Sequence, residues 1–396
     1  MYLAACAVPD GGLFRAARFR DVHLYQGFAQ AVFDGRVPYR DFFMEYPPGA
    51  LAVFLPADAF GVSHYNAAFK TLMALCGVAT LFVIASLLVR LNAAPPRIWM
   101  GTFLFALSPI ALGPISLNTY DAWPALLTVG ALALLLSGGA VAALALLGVA
   151  FTAKVYPVVL LPPALIFVWR TAGRERAFRA LRAFIGAVAL VVLPFFVLAP
   201  HGLAESFRAQ AGRSLQEESL AGSALAVADR LGIYSATIVH RAGHAISYDL
   251  VGSLPDALSV LSSVAQGLAV LAVAWLYLRG RDDPQRLTAA FAAAIAGFLA
   301  FTRFFSPQYL VWVVPFAVLL GPAAWVLVGL ALVLAQLWFF HYNHGALGGY
   351  FWLVLVRDLL IVAFYAVALA RLRTRAAVKD QDPVLFEDKS PLRVPS

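Results

Sequence analysis

Charged residues are scarce in this chain. They make up 13% of its 396 residues, whereas 62% of the residues are hydrophobic and the mean hydropathy is +0.81. A water-soluble protein of this size does not need so many apolar residues, because polar residues cover much of its surface. The composition therefore predicts an all-α, polytopic membrane protein, a bundle of transmembrane helices whose solvent is lipid.

Cysteine is almost absent. Cys6 and Cys76 are the only two, and both lie in apolar segments. Their number and setting exclude a disulfide framework and a cysteine metal cluster.

Recognised metal and nucleotide motifs are also missing. The spacings of His240 with His244 and of His341 with His344 would suit a metal, but no motif adds a carboxylate or a cysteine to either pair. The chain lacks a Walker loop, a G-x-S-x-G motif and the Rossmann glycine pattern. We therefore expect no metal and no cofactor, and a donor substrate need not be a nucleotide.

Basic residues exceed acidic ones, and the formal net charge is +8. The arginines cluster in short connections between apolar runs, where the positive-inside bias of membrane proteins accounts for them. We therefore expect no nucleic-acid partner.

Apolar runs, cut at proline, glycine and charge clusters, predict about eleven spans. We place them at 66–90, 98–117, 121–137, 140–153, 155–170, 180–199, 258–279, 287–302, 307–320, 323–340 and 351–371. Several runs are shorter than about 17 residues, so tilted or broken helices are expected there.

With eleven spans, every arginine cluster falls on one side of the membrane, which predicts that this side is the cytoplasm. The clusters are Arg90 and Arg97; Arg170, Arg174, Arg176, Arg179 and Arg182; Arg279, Arg281 and Arg286; and Arg371, Arg373 and Arg375. The opposite, outward side then holds the first loop and the long loop 201–257, in which we expect amphipathic helices. The predicted organisation is an outward loop 1–65, a bundle 66–371 in the plasma membrane, and a polar cytoplasmic tail 372–396.

An outward first loop needs a preceding span or a signal peptide to export it. The opening MYLAACAV is too short for a span and lacks the pattern of a signal peptide. We therefore expect a first helix to be missing or reduced here.

The stretch DVHLYQGFAQAVFDGRVPYRDFFMEYPPG, from Asp21 to Gly49, collects carboxylates, arginines and tyrosines. Apolar spacing predicts a short helix from about 22 to 34, and Gly35 follows where a left-handed C-cap belongs. Asp21 fits a helix N-cap, and it also fits a general base; the two interpretations are compatible. Surface ion pairing with Arg40 explains Asp41 and Glu45 adequately.

Three further charged positions lie at the ends of apolar runs. Asp121 fits an N-cap for a helix that begins at Ala122, or a second active-site acid. Lys154 and Arg303 stand at outer span ends; each snorkels to the interface or holds an anion such as a lipid phosphate.

Arg357 and Asp358 lie inside the last predicted run and must face protein or water. Because adjacent residues on a helix diverge, we do not expect them to be partners.

Taken in order, DVHLY, DGRVPYRDFFMEYPPG, NTYDAWPALL, AKVYPVVLLP, RSLQEESLAGS and SPQYLVWVVP make the chain resemble glycosyltransferase family 87, a group of polytopic GT-C enzymes that includes actinobacterial phosphatidylinositol-mannoside mannosyltransferases. The resemblance runs from about residue 15 to 345. It implies transfer of a sugar, commonly mannose, from a polyprenyl-phosphate donor to a lipid or glycan acceptor at the outer membrane face, with inversion.

By motif, the resemblance implies that Asp21 is the base and that Lys154 and Arg303 stand where a donor phosphate is held. Asp121 is the second catalytic candidate. The substrate-binding candidates are Tyr25, Arg40, Glu45, Tyr46, Lys154, Arg303, Gln308 and His341. The motif RSLQEES, with Arg213, Glu217 and Glu218, has no assigned role, and ordering the long loop would explain it.

Other functions remain open at this stage. A transporter or flippase of a lipid-linked sugar would place ionisable residues near the bilayer midplane, whereas here they collect on one side. A polyprenyl-phosphate donor with another sugar fits equally well, and a catalytically silent relative is a further alternative.

Overall fold

The computed structural model describes residues 1–11, 21–241, 247–343 and 350–377. Within these ranges the regular structure is almost entirely helical, with one small sheet. The predicted all-α fold, a bundle of apolar helices, is confirmed.

Eleven helices overlap the eleven predicted apolar runs. They are α4 Tyr65–Arg90, α5 Pro95–Leu112, α7 Ala122–Leu136, α8 Ala140–Ala153, α9 Leu161–Ala172, α10 Arg174–Leu198, α13 Ser253–Leu278, α14 Pro284–Ala300, α15 Leu310–Leu320, α16 Pro322–Asn343 and α17 Phe351–Ala377. Among the described residues, α4, α10, α13, α16 and α17 are long and apolar enough to cross a membrane, and several of the others are shorter apolar helices. Helix α17 continues past the predicted start of the polar tail.

The remaining helices lie before and between these eleven. They are α1 Tyr2–Gly11, α2 Asp21–Phe33, α3 Leu51–Asp58, α6 Ile115–Asn118, α11 Pro200–Ala211 and α12 Leu220–Arg230. Helix α2 matches the predicted helix 22–34 within one residue, and Gly35 has the expected left-handed conformation, with φ of 81°. Helix α1 packs against α5 and α4, where Tyr2 stacks on Phe105 with 5.7 Å between ring centroids.

The long loop contains a sheet that we did not predict. It has three short strands, β1 Leu215–Gln216, β2 Thr237–Arg241 and β3 Ser247–Val251. The order is β1-β3-β2, and both pairings are antiparallel, with Leu215 opposite Leu250.

Helix α14 forms the centre of the bundle and packs against α13, α15 and α17. Nearly all its residues are buried, and many are alanines, which let neighbouring helices approach closely. Helices α10 and α13, in contrast, expose large apolar side chains such as Leu190 and Leu271. Such surfaces suit contact with lipid.

Arg357 and Asp358 are partners, so our expectation about them is wrong. Arg357 Nε donates to Asp358 Oδ1 at 2.9 Å, and the same guanidinium donates to Glu218 Oε2 at 3.1 Å and to the carbonyl oxygen of Glu218 at 2.6 Å. Both α17 residues are buried, and an unpaired buried charge is very costly, so the long arginine side chain bends back to its neighbour.

The first loop is held against the end of α8 by a close backbone contact. A Cβ atom at Gly49 would collide with the backbone of Thr152 and Ala153, so only glycine allows this approach. The contact places Gly49 beside the end of α8, which Lys154 directly follows.

Candidate active site

An ion pair between Asp121 and Lys154 forms the centre of the candidate site. Lys154 Nζ donates to Asp121 Oδ1 at 2.5 Å, and the same oxygen accepts a hydrogen bond from Trp312 Nε1 at 2.6 Å. Asp121 is 1% exposed, and no described residue donates a hydrogen bond to its buried Oδ2. One oxygen of this carboxylate thus retains its hydrogen-bonding capacity.

Asp121 stands at the N-cap position of α7, as one interpretation predicted. Its side chain, however, makes no capping hydrogen bond with any described amide of that helix. It reaches across to the end of α8 and the first turn of α15 instead. Its carboxylate therefore joins three helices at one end of the bundle.

Three aromatic faces surround the Lys154 ammonium. Nζ lies 4.5 Å from the ring centroid of Tyr120 and 5.2 Å from those of Tyr309 and Trp312. Trp312 is itself stacked between Tyr309, at 4.4 Å, and Tyr156, at 4.0 Å. Ring faces attract cations, so these contacts and the Asp121 carboxylate together fix the position of the charge.

Asp21 is the first residue of α2 and is half-buried. Its pKa rises to about 6, mainly because burial disfavours the charged carboxylate. The negative charges of Glu45 and Asp121 add to this rise, whereas the Lys154 ammonium opposes it. Tyr25 Oη donates to Asp21 Oδ2 over a long 3.5 Å. Asp21 thus shares one electrostatic environment with the central ion pair.

Tyr25, which contacts Asp21, belongs to a cluster of aromatic rings. Tyr25 stacks on Phe54 at 4.4 Å between centroids, and Tyr46 meets Tyr120 edge-on at 5.2 Å. Tyr120 also contacts Tyr25 and Phe54 at 5.6 and 5.3 Å. These rings link the first loop, where Tyr25 and Tyr46 lie, to the start of α7.

Glu45 connects the first loop to the long loop. Its Oε2 lies 3.6 Å from Arg213 Nη2, and its carbonyl oxygen accepts a hydrogen bond from Gln210 Nε2 at 3.1 Å. The Arg213 guanidinium lies 5.2 Å from the ring centroid of Phe304. A second cation therefore stands close to the carboxylates of the site.

The side chains of three other sequence candidates, Arg40, Arg303 and Gln308, form their described contacts with residues outside this cluster. Arg40 is exposed and pairs with Asp41, with a shortest distance of 2.9 Å, as the surface interpretation predicted. The Arg303 guanidinium donates to the carbonyl oxygen of Ala211, and Gln308 Oε1 accepts from the Ser306 hydroxyl at 2.5 Å.

The histidine candidates cannot be compared with the site. The side chain of His341 lies outside the described residues, as do the side chains of the other histidines in the two pairs considered for metal, His240, His244 and His344.

The sequence profile of glycosyltransferase family 87 matches residues 43–302, about two thirds of the chain. The chain belongs to glycosyltransferase family 87. The matched range contains Glu45, Asp121, Lys154 and Arg213, and Asp21 lies before it.

Among solved structures, this family 87 chain is similar to an oligosaccharyltransferase of Archaeoglobus fulgidus tethered to an acceptor peptide, with a TM-score of 0.44 and 14% sequence identity. The alignment covers 94% of this chain and 54% of the other, so the chain spans about half the length of that structure. No curated protein matches this chain.

The geometry of the candidate site combines a carboxylate that can accept a proton with a fixed cation. A carboxyl group whose pKa is about 6 is ionised at neutral pH and still basic enough to take a proton in a transition state. The Lys154 ammonium is the counterpart that can stabilise a developing negative charge.

Sequence reasoning missed four residues of this site as candidates: Tyr120, Arg213, Tyr309 and Trp312. All four lie in or beside the motifs that we quoted, NTYDAW, RSLQEES and SPQYLVW. The position of Tyr120, Tyr309 and Trp312 at span mouths was a signal for interfacial aromatic residues. That signal did not predict that the three rings would face one ammonium group, that of Lys154.

Proposed function

We propose that this protein transfers a sugar, with mannose as the first candidate, from a polyprenyl-phosphate donor to a hydroxyl of a lipid or glycan acceptor at the outer face of the plasma membrane. The observation that carries the proposal is that the partly buried Asp21 lies within electrostatic reach of Glu45 and of the ion pair between Asp121 and Lys154. Membership of a glycosyltransferase family supports the reaction class.

In this scheme Asp21 is the general base. The acceptor hydroxyl oxygen attacks the anomeric carbon as its proton passes to the Asp21 carboxylate. The bond between the anomeric carbon and the phosphate oxygen breaks, and its electron pair leaves with the polyprenyl phosphate. Attack from the face opposite the leaving group inverts the configuration.

Lys154 is proposed to stabilise the phosphate as negative charge develops on it. The described residues use one of its three N–H groups, in the hydrogen bond to Asp121. The other two have no acceptor among the described residues and can donate to phosphate oxygens; charge-assisted bonds of this kind are about twice as strong as neutral ones. Because Asp121 and the three rings hold the ammonium before substrate arrives, little reorganisation is needed during the reaction.

Further proposed contacts come from the first loop and the start of α15. Tyr25, Glu45, Tyr46 and Gln308 carry groups that can bond sugar hydroxyls. Arg303 lies next to Phe304, which the Arg213 guanidinium contacts, so it would meet a phosphate from the long-loop side. Arg40 and His341 are proposed as peripheral substrate contacts. The polyprenyl chain would lie in lipid against the bundle.

The test is transfer of radiolabelled sugar to membrane lipids or glycans by the purified full chain in lipid. Polyprenyl-phosphate-mannose is tried first, then the glucose and arabinose donors. We expect a labelled product whose anomeric configuration, read by NMR, is opposite to that of the donor. A folded protein that transfers none of these sugars, or a product with retained configuration, would contradict the proposal.

A further inference from the structure

A cavity of about 90 Å³ lies in the bundle away from the candidate active site. Polar side chains of Arg97, Gln285, Thr288 and Arg371 line it, with Leu91, which directly follows α4, and two leucines of α15. The volume is several times the roughly 10–15 Å³ that one water molecule needs. The cavity can therefore hold a small polar group.

The cavity and the active site lie at opposite ends of α15. Trp312, in the first turn of α15, bonds Asp121, whereas Leu319 and Leu320, in its last turn, line the cavity. An eleven-residue helix is roughly 16 Å long. The two sites are therefore distinct, and the cavity stands at the end where the arginine clusters lie.

The lining is positively charged. It contains two arginines, and the described lining residues include no carboxylate. The two acids that precede α14 do not line the cavity: Asp282 lies 3.5 Å from Arg170, and Asp283 accepts the amide N–H of Arg286 at the start of α14. An anion entering the cavity thus meets positive charge.

The Nε–H group of Arg97 lacks a hydrogen-bond acceptor among the described residues. Nη2 donates to the carbonyl oxygen of Leu319 at 2.7 Å, which fixes the group at the cavity wall. Its Nε is buried, and no described residue accepts a hydrogen bond from it. A buried donor left unsatisfied is unfavourable, and an anionic oxygen in the cavity would supply the missing acceptor.

Two helix N-termini also favour an anion in the cavity. Helix α5 begins at Pro95 and places Arg97 in its first turn, and α14 begins at Pro284 and places Gln285 there. The N-terminal end of a helix carries a partial positive charge and favours anions. The helix dipoles and the guanidinium groups therefore act in the same direction.

We propose that this cavity binds a phosphate group, from the headgroup of an anionic membrane lipid or from free phosphate. Phosphate matches the geometry of guanidinium donors, and basic pockets between transmembrane helices bind lipid headgroups. The proposal does not depend on the sugar-transfer reaction, because none of the lining residues belongs to the candidate active site.

The test is native mass spectrometry of the purified full chain with phosphatidylglycerol, comparing wild type, Arg97→Gln, Arg371→Gln and the control Arg373→Gln. Arg373 lies two residues further along α17 and is exposed, so this control makes the same change of charge outside the cavity. We expect both cavity variants to bind the lipid about tenfold more weakly or worse, and the control to bind it like wild type.

A second arm separates the two sources of phosphate. Thermal unfolding is measured with inorganic phosphate and with chloride at equal ionic strength. If phosphate stabilises wild type and Arg373→Gln but not the cavity variants, while lipid retention is equal in all four proteins, the bound group is free phosphate.

If Arg97→Gln does not fold, Arg97→Lys and Arg371→Gln are compared with wild type and with Arg373→Gln instead. Lipid retention and phosphate stabilisation that are both unchanged in the folded cavity variants would overturn the proposal.

Discussion

At the scale of single residues, the pKa of Asp21 sets the pH dependence of the proposed reaction. A base acts in its ionised form, and the pKa is raised to about 6 in the free protein. We therefore expect kcat/KM to fall about tenfold per pH unit below pH 6 and to level off above it. The measurement is the initial rate of sugar transfer at low substrate concentration from pH 4.5 to 8. A rate that is constant from pH 5 to 7 would contradict this role.

Asp121 and Lys154 depend on each other, because each would otherwise be a buried or partly buried charge without its counter-ion. Removal of one partner of such a pair costs about 3–5 kcal/mol. We expect Asp121→Asn to lower the thermal midpoint and to reduce transfer. The double variant Asp121→Asn with Lys154→Met should recover stability but not activity, as measured by thermal unfolding and transfer in parallel. Additive losses of stability would show that the two side chains do not interact.

At the scale of elements, the contact between Glu45 and Arg213 joins the two loops over the site. The pair is partly exposed and its closest atoms are 3.6 Å apart, so its contribution to stability is small, about 0–1 kcal/mol. We expect Arg213→Gln to raise KM for the donor or to lower kcat with little change in the thermal midpoint. Arg208→Gln, an exposed change on α11, is the matched control. Equal transfer by both variants would exclude a role for Arg213 in the site.

The long loop is anchored to the last helix by the buried contact between Glu218 and Arg357. Arg357 is 0% exposed and also lies 4.1 Å from the ring centroid of Phe305. Because Arg357→Met leaves Glu218 and Asp358 buried without their cation, we expect destabilisation of about 3–5 kcal/mol. Arg373→Met on the exposed face of α17 should leave the thermal midpoint nearly unchanged. Similar midpoints for the two variants would contradict this account of the anchor.

The sequence predicted those elements whose signals are local. Apolar spacing and Gly35 defined α2 within one residue, and the apolar runs located eleven helices. The sheet in the long loop was missed because β1 has only two residues and pairs with β3, more than thirty positions away. Such a pairing leaves no periodic pattern in the sequence.

For the candidate site too, the sequence indicated individual residues but not the contacts between them. Asp121 and Lys154 were noticed because charge is rare at span ends, yet the sequence did not show that they are partners 33 positions apart. Arg357 and Asp358 were misjudged because helical geometry was considered without the cost of burial. Contacts between distant segments required the structure.

At the scale of the whole molecule, the polar residues of the candidate site gather at one end of a largely apolar bundle. The arginine-lined cavity lies at the other end, across α15. This separation suits an enzyme that works at one membrane face and contacts lipid phosphate at the other. The eleven helices between them provide the scaffold that brings the ends of α2, α7, α8 and α15 together.

The most direct test of the central claim compares sugar transfer by wild type, Asp21→Asn and Asp34→Asn in the same membranes. Asp34 follows the other end of α2 and is exposed, so its substitution makes the same chemical change away from the cluster. Loss of a general base should reduce the rate by about 10²–10⁴, whereas Asp34→Asn should retain it. Wild-type transfer by a well-folded Asp21→Asn protein would contradict the claim that Asp21 is the base of this glycosyltransferase.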